Sequence, residues 1–210
     1  MTDSFAQGKS ASPTTLILAS ASPRRRDILS AAGIDFEIVP ADIEELARPS
    51  ETPTDLAERL AREKALAVAA RLSADRRRPV LGSDTIVVLG DLVLGKPRDE
   101  GHAVELLSKL MGRRHQVMTG IAVCWTDRHE ALSRIVISEV EMRPATREEL
   151  EDYVAVGESL DKAGGYALQG EGRRFVVGVE GSRSNVIGLP LEETLELLER
   201  AGHDVSRSRA

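Results

Sequence analysis

An apolar run near the N-terminus, Leu16-Ile17-Leu18-Ala19, leads through Ser20-Ala21-Ser22-Pro23 into Arg24-Arg25-Arg26. Ser22 suits a helix N-cap and Pro23 a first helical position. Three arginines in a first turn are repelled by the positive end of the helix dipole, so a cluster there makes sense around a bound anion. Ser22, Arg24 and Arg25 would then converge with free backbone N–H groups on phosphate oxygens above the strand end. The plainer alternative is a solvated basic face that happens to begin a helix.

Three more polar groups sit where packing alone does not explain them. On a wheel at about 100° per residue from Leu56, the residues Leu60, Ala61, Ala67, Val68 and Leu72 fall within half a turn, with Lys64 near its middle. The Lys64 ammonium either snorkels past the stripe or faces a cleft as a compact charge for phosphate. Methionine keeps the stem packing, so Lys64→Met is expected to spare stability. Asp84 interrupts the apolar run from Val80 to Leu89. A buried carboxylate without a partner costs several kcal/mol, so Asp84 needs a cation, a metal or a hydrogen-bond network. It is expected at a kink allowed by Gly82, facing a polar cleft; capping a neighbouring loop is the alternative. In Gly95-Lys96-Pro97 the proline stiffens the chain and aims Lys96, which reads otherwise as a surface lysine at a turn.

Composition narrows the ligand. The 210 residues are 41% hydrophobic, enough for one sizeable core. Cys124 is the sole cysteine, which excludes a disulfide framework and a thiol–metal cluster and suits a reducing cytoplasm. No apolar stretch is long enough to span a bilayer, and no signal-like segment opens the chain, so no membrane partner is expected. With a net charge of -6 and 3% aromatics, the chain lacks the basic and aromatic surface of a nucleic-acid polymer binder. A small polyanion fits better.

The elements that must position these residues alternate in an α/β pattern. Strands are expected at 16–19, 36–39, 80–89, 92–94, 116–126, 132–142 and 175–179. Helices are expected at 23–32 closed by Gly33, from Thr52-Pro53-Thr54-Asp55 to about Leu72, at 99–111, from the capping box at Thr146, and up to Ala201 with Gly202 as cap. Gly90-Asp91 reads as a hairpin turn, Arg76 to Arg78 as a solvated connector, and 161–172 and the stretch ending Gly188-Leu189-Pro190 as loops. Residues 1–13 and 203–210 are expected to be flexible, leaving one domain over 14–202.

Six motifs occur in a recognisable order: Ser20-x-Ser22-Pro23-Arg24-Arg25, Arg59-Leu60-Ala61-x-x-Lys64-Ala65, Ser83-Asp84-Thr85, Gly95-Lys96-Pro97, Asp161-Lys162-Ala163-Gly164-Gly165-Tyr166-x-x-Gln169-Gly170 and Asn185-Val186-x-Gly188-Leu189-Pro190-Leu191. From Leu16 to Ala201 the chain resembles the Maf proteins. These are nucleoside triphosphate pyrophosphatases, first named for an effect on septum formation. The resemblance implies a long, mixed, twisted sheet with helices on both sides and two lobes around a cleft, similar to the inosine triphosphate pyrophosphatases. It also implies hydrolysis of a nucleoside triphosphate to the monophosphate and pyrophosphate with a divalent metal (Mg2+, Mn2+ or Co2+), and a homodimer.

By the same resemblance Asp84 matches the catalytic aspartate and proton acceptor, and a carboxylate there could also ligate metal. Glu45, in Asp42-Ile43-Glu44-Glu45, matches an acidic loop position that helps with the metal; in isolation it reads as a solvated acid. Arg24, Thr85 and Gln169 match positions marking the dTTP/UTP branch. The similar sister branch acting on 7-methyl-GTP has Gln after the aspartate and a Cys-Ala-Gly-x-Phe-type segment with Glu in place of the Tyr…Gln loop. The Gln169 amide both donates and accepts, as the O4 and N3–H edge of uracil or thymine requires. Arg183 stands where relatives carry an aromatic. A pyrophosphatase for modified or purine triphosphates, and a nucleotide-sensing regulator of septum formation without turnover, are the alternatives; Asp84 favours catalysis, because a simple binder gains nothing from a carboxylate beside phosphates.

Overall fold

The protein was examined as a computed structural model, which describes residues 15–72 and 77–205. Apolar β-branched runs and capped amphipathic segments alternate along it. They form β1 (Leu16–Leu18), α1 (Pro23–Ala31), β2 (Phe36–Ile38), α2 (Pro53–Arg71), β3 (Pro79–Leu89), β4 (Leu92–Leu94), α3 (Glu100–Leu110), β5 (Arg114–Trp125), β6 (Leu132–Met142), α4 (Arg147–Ala155), β7 (Val176–Glu180), α5 (Arg183–Ile187) and α6 (Leu191–Arg200). The caps at Thr52 and Thr146 act as the sequence implies: Thr52 accepts the Asp55 N–H, and Thr146 with Glu149 closes a full capping box; Asp99, expected as the first helical residue, is instead the cap of α3, accepting the His102 N–H. Gly33, with φ 70°, closes α1 in the left-handed region.

The seven strands form one sheet in the order β2-β1-β3-β5-β6-β7, with β4 on the free edge of β3. β1 is parallel to β2 and β3, whereas β3, β5, β6 and β7 run antiparallel in turn. The pleat sends alternate residues to opposite faces. Val80, Ala122 and Cys124 meet Ala61, Ala65 and Val68 of α2, while Leu81, Ile121 and Val123 meet Leu29 of α1 and Leu197 and Leu198 of α6. Farther along, Val87, Val117 and Val140 meet Leu107 of α3 and Leu150 and Tyr153 of α4. Helices therefore cover both faces, as the resemblance implies.

Two glycines set how close α2 lies. A Cβ at Gly82 would stand 2.2 Å from the Ala61 carbonyl oxygen and 2.7 Å from the Ala65 nitrogen, and one at Gly120 2.2 Å from the Ala57 carbonyl oxygen. Gly82 is thus not a kink as expected: β3 runs through it in register with Ala122, and the missing side chain admits the helix backbone. The irregularity of β3 lies at its outer edge. β1 pairs only with Val80 and Leu81, and β4 only with Val87 to Leu89. Between them Gly82 to Ile86 has no strand partner on that side, and the two lobes part there.

Other expectations need correction. Part of the stretch ending Gly188-Leu189-Pro190 is the five-residue helix α5, capped by Ser182 accepting the Asn185 N–H; so short a helix carries no periodic signal. The segment 161–172 contains 3-10 turns at 163–165 and in its continuation to Phe175. Arg77 and Arg78 are not merely solvated: Arg77 lies over the Trp125 ring at 4.4 Å, and Arg78 pairs with Glu37 at 2.7 Å. The tail is anchored at its start, because His203 and Val205 are buried, the latter in the core with Leu197. Residues 1–13, Arg76 and 206–210 lie outside the described residues.

Gly82→Ala should destabilise the fold by about 1–3 kcal/mol or more, because the new methyl overlaps helix backbone and not a flexible side chain. A lower denaturant midpoint would check this; an unchanged midpoint would mean that α2 can lift freely from the sheet.

Candidate active site

The chain leaving β1 passes over the open edge of β3 before α1 begins, so strand end, helix start and unpaired edge meet at one place. A cleft of about 630 Å³ opens there. Ser20, Ser22, Arg24 and Arg25 line it together with Glu45, Asp84, Thr85, Lys96, Asp161 and Gln169. Ser22 occupies the N-cap position, yet its side chain makes no cap bond; its own N–H donates to Ser20 Oγ at 3.2 Å. The Ser22 hydroxyl is thereby left for another acceptor or donor.

Asp84 and Thr85 are consecutive on β3 and therefore serve different faces. Asp84 points to the α2 side, where Lys64 donates to its Oδ1 at 2.6 Å. The same ammonium lies 2.5 Å from Glu45 Oε1. Lys64 neither snorkels nor reaches openly into the cleft: it is buried, bridging two carboxylates. Burial raises the Glu45 pKa, but the hydrogen bond from Lys64 and the charges of Lys64, Lys96 and Arg25 outweigh it and hold that carboxyl below its ordinary range. Asp84 Oδ2 and Glu45 Oε2 have no hydrogen-bond partner among the described residues.

Thr85 points to the opposite face, onto Arg25. This arginine is buried and donates to the Gly188 carbonyl at 2.9 Å, Ser20 Oγ at 3.0 Å and Thr85 Oγ1 at 3.1 Å. Burial, reinforced by the neighbouring Arg24, lowers its pKa against the opposing pull of Asp84 and Glu45. Arg25 thus supplies positive potential from the cleft floor and not an open fork. The Thr85 hydroxyl also contacts Thr119 Oγ1 at 3.0 Å and Gly188 O at 3.3 Å, so it reaches a ligand only by exchanging a partner.

The mouth differs from the floor. Arg24 spans it, pairing with Asp161 at 2.9 Å, and Asp161 also holds Lys162 at 2.5 Å. Lys96 and Gln169 are exposed and make no ion pair or hydrogen bond to another described residue, which leaves both for a ligand. Sequence reasoning missed two features here. Asp161 is the counter-ion of Arg24, a pairing across 137 positions without local signal. His115, buried at the start of β5, meets the hydroxyl of the cleft residue Tyr166 through Nε2 at 2.8 Å, and its Nδ1 has no partner.

A cation-lined cleft with a carboxylate at its floor can bind a polyphosphate and place a proton acceptor beside it. Residues 15–201 match the family model for Maf-like proteins. The chain belongs to the Maf family. Three relatives are each a "dTTP/UTP pyrophosphatase". The one from Yersinia pestis bv. Antiqua is 48% identical over 88% of this chain and 92% of its own. Those from Geobacter sulfurreducens and Escherichia coli O157:H7 are 46% and 49% identical, over 89% and 88% of this chain and 96% and 92% of theirs. The residues that match the Maf model include every cleft residue named above.

The double pairing of Lys64 overturns the expectation that Lys64→Met spares stability. Removing one partner of a buried ion pair costs about 3–5 kcal/mol, so Lys64→Met should unfold at markedly lower denaturant, and adding Asp84→Asn should recover most of that loss without restoring activity. A wild-type midpoint in the single variant would show that the pair contributes nothing.

Burial pushes the His115 pKa down to about 4. Between roughly pH 6.5 and that value the unfolded imidazole takes up a proton that the folded one refuses, so stability falls as pH drops through this window, by about 3 kcal/mol at full extent. Buried His203 contributes in the same direction. Urea titrations from pH 7 down to about pH 4 should show a shallower decline for His115→Asn than for the wild type.

Proposed function

We propose that this Maf protein hydrolyses the pyrimidine nucleoside triphosphates dTTP and UTP to the monophosphate and pyrophosphate. The observation that carries the reading is Asp84, a buried carboxylate on the unpaired edge of β3 at the base of a cation-lined cleft. The names of the three relatives support the substrate class.

The triphosphate lies against the start of α1, where backbone N–H groups, Ser22 and Arg24 receive its oxygens, with Lys96 opposite. To engage phosphate fully, Arg24 leaves Asp161. Lys64 orients Asp84 through Oδ1, and Oδ2 accepts a proton from a water aligned on the α-phosphorus. The new P–O bond to that water forms as the bond from the α-phosphorus to the bridging oxygen breaks, and pyrophosphate departs with that oxygen. The arginine and lysine charges stabilise the negative charge that builds on the leaving group.

A divalent cation, Mg2+, Mn2+ or Co2+, belongs to this reading. Its donors would be hard carboxylate oxygens, Glu45 Oε2 with the Asp84 carboxylate beside it, and among the described residues no group of three or more His, Cys, Asp or Glu side chains is placed to hold a metal ion. Two carboxylates completed by substrate phosphates fit such an ion. When bound, it neutralises phosphate charge and polarises the reacting centre.

Gln169 reads the base, donating to O4 and accepting from N3–H. A homodimer is proposed on the family resemblance alone, and a cytoplasmic location on the single, buried cysteine, Cys124. Among the described residues no helix is long and apolar enough to cross a membrane.

A panel of triphosphates with pyrophosphate detection tests the reading, and release mainly from 7-methyl-GTP or purine substrates would move this chain to another branch. Asp84→Asn should lower kcat by roughly 10²–10⁴-fold with nucleotide binding retained; no turnover by the wild type on any triphosphate would instead favour a nucleotide sensor. Gln169→Glu should cut kcat/KM for dTTP and UTP roughly tenfold or more per lost contact while sparing purine triphosphates. An equal fall on every triphosphate would make Gln169 a support for its loop.

A further inference from the structure

The mechanism uses Lys64 from the motif Arg59-Leu60-Ala61-x-x-Lys64-Ala65 but leaves Arg59 without a task. Arg59 precedes Lys64 by about one and a half turns of α2 and faces the segment carrying Glu45. Residues 39–52 contain neither helix nor strand, and 44–50 are all exposed. Val39 and Ala41 pack on the core where the segment begins, but Leu46, the neighbour of Glu45, is 66% exposed, so apolar packing does not extend to 44–50. The pair of Glu45 with Lys64 is a single contact to a half-exposed carboxylate, which by itself orders a loop weakly.

Arg71 holds the Pro40 carbonyl and Arg48 reaches Glu63, but the contacts nearest Glu45 come from a guanidinium clamp. Arg59 Nε and Nη2 donate to the two oxygens of Glu51 at 2.5 and 2.8 Å, Nη2 also donates to the Leu46 carbonyl at 2.9 Å, and Nη1 to Glu63 at 2.9 Å. Glu51 shapes the turn from its other end: its carboxylate accepts the Arg48 N–H at 3.0 Å, and its own N–H donates to the Arg48 carbonyl at 3.1 Å. Within that turn Ser50 has φ 63°, a left-handed conformation that a serine keeps only where its surroundings determine it. The hydrogen bonds of Arg59 hold the Glu51 carboxyl down to about 2, so the fork stays charged on both sides across ordinary pH.

We propose that Arg59, acting through Glu51 and the Leu46 carbonyl, is a positioning residue that holds Glu45 against Lys64 at the active site. The inference rests on the reading that Glu45 belongs to that site. A planar fork engaging both carboxylate oxygens and a carbonyl fixes direction as well as distance, which a lysine ammonium cannot do.

Steady-state hydrolysis of dTTP should show kcat reduced about tenfold or more in Arg59→Gln, Arg59→Lys and Glu51→Gln, with KM changed less. Glu45→Gln should lower kcat similarly, and the Arg59→Gln/Glu45→Gln double variant should be no slower than Glu45→Gln alone, because Arg59 would have nothing left to position. Hydrogen exchange over residues 42–51 should quicken in Arg59→Gln and Glu51→Gln while the sheet stays protected. If Arg59→Gln does not fold, Glu51→Gln with Glu45→Gln completes the same cycle from the loop side. Losses that multiply in the double variant, or full rescue by Arg59→Lys, would overturn the inference and leave Glu45 in the site; normal turnover of Glu45→Gln would remove Glu45 from the site and the inference with it.

Discussion

The ion pair between Lys64 and Asp84 ties a helix to the middle of the sheet, and most of the site follows from what that contact demands. An ammonium reaches a carboxylate on a central strand only if the helix backbone lies almost on the sheet. Gly82 and Gly120 under α2, opposite Ala57, Ala61 and Ala65, allow that approach. A buried charge pair is also intolerant of losing one member, so Lys64, Asp84 and the glycines beneath them act as one unit of sequence. Asp84 is then fixed beside the unpaired edge of β3, where a ligand can reach it.

The same economy governs the cations. Of the arginines opening α1, Arg25 is spent inside the protein, joining Ser20, Thr85 and Gly188 and so binding β1, β3 and the α5–α6 turn into one floor. Arg24 and Lys96 remain at the mouth, where exchange with solvent and substrate is easy, and Arg24 has an acidic partner in Asp161 that a polyanion must outcompete. Buried, paired groups at the floor and exposed ones at the mouth fit the proposed binding of a highly charged substrate and release of charged products. The open edge explains why this cleft lies where it does: two short strands share one side of β3 and leave Gly82 to Ile86 between them.

Position within the cleft is enforced from outside it. Tyr166 is bonded through its hydroxyl to a buried histidine on β5, and Glu45 sits on a stretch, 44–50, that is exposed throughout. Both arrangements shift the burden of precision from residues that touch a ligand to neighbours that do not. Changes at such neighbours would act on turnover through geometry and leave the chemical groups in place.

The sequence by itself determined the α/β class, nearly every strand and helix, the caps at Thr52 and Thr146, and the prominence of Arg24, Lys64, Asp84 and Lys96, because periodicity, capping and misplaced charge act within a few residues. Tertiary structure decided what each charge touches. Lys64 carried two readings on its wheel until two carboxylates, one 20 residues away, closed on it. Arg25 looked like a phosphate fork until its bonds to Thr85 and Gly188, the latter 163 residues away, were formed. Gly82 looked like a kink because a glycine in a strand says only that something comes close; that the visitor is the backbone of α2 depends on how the helix packs. His115, Asp161 and Arg59 gave no local sign of their roles, since an isolated polar residue acquires its partner only when distant segments are brought together.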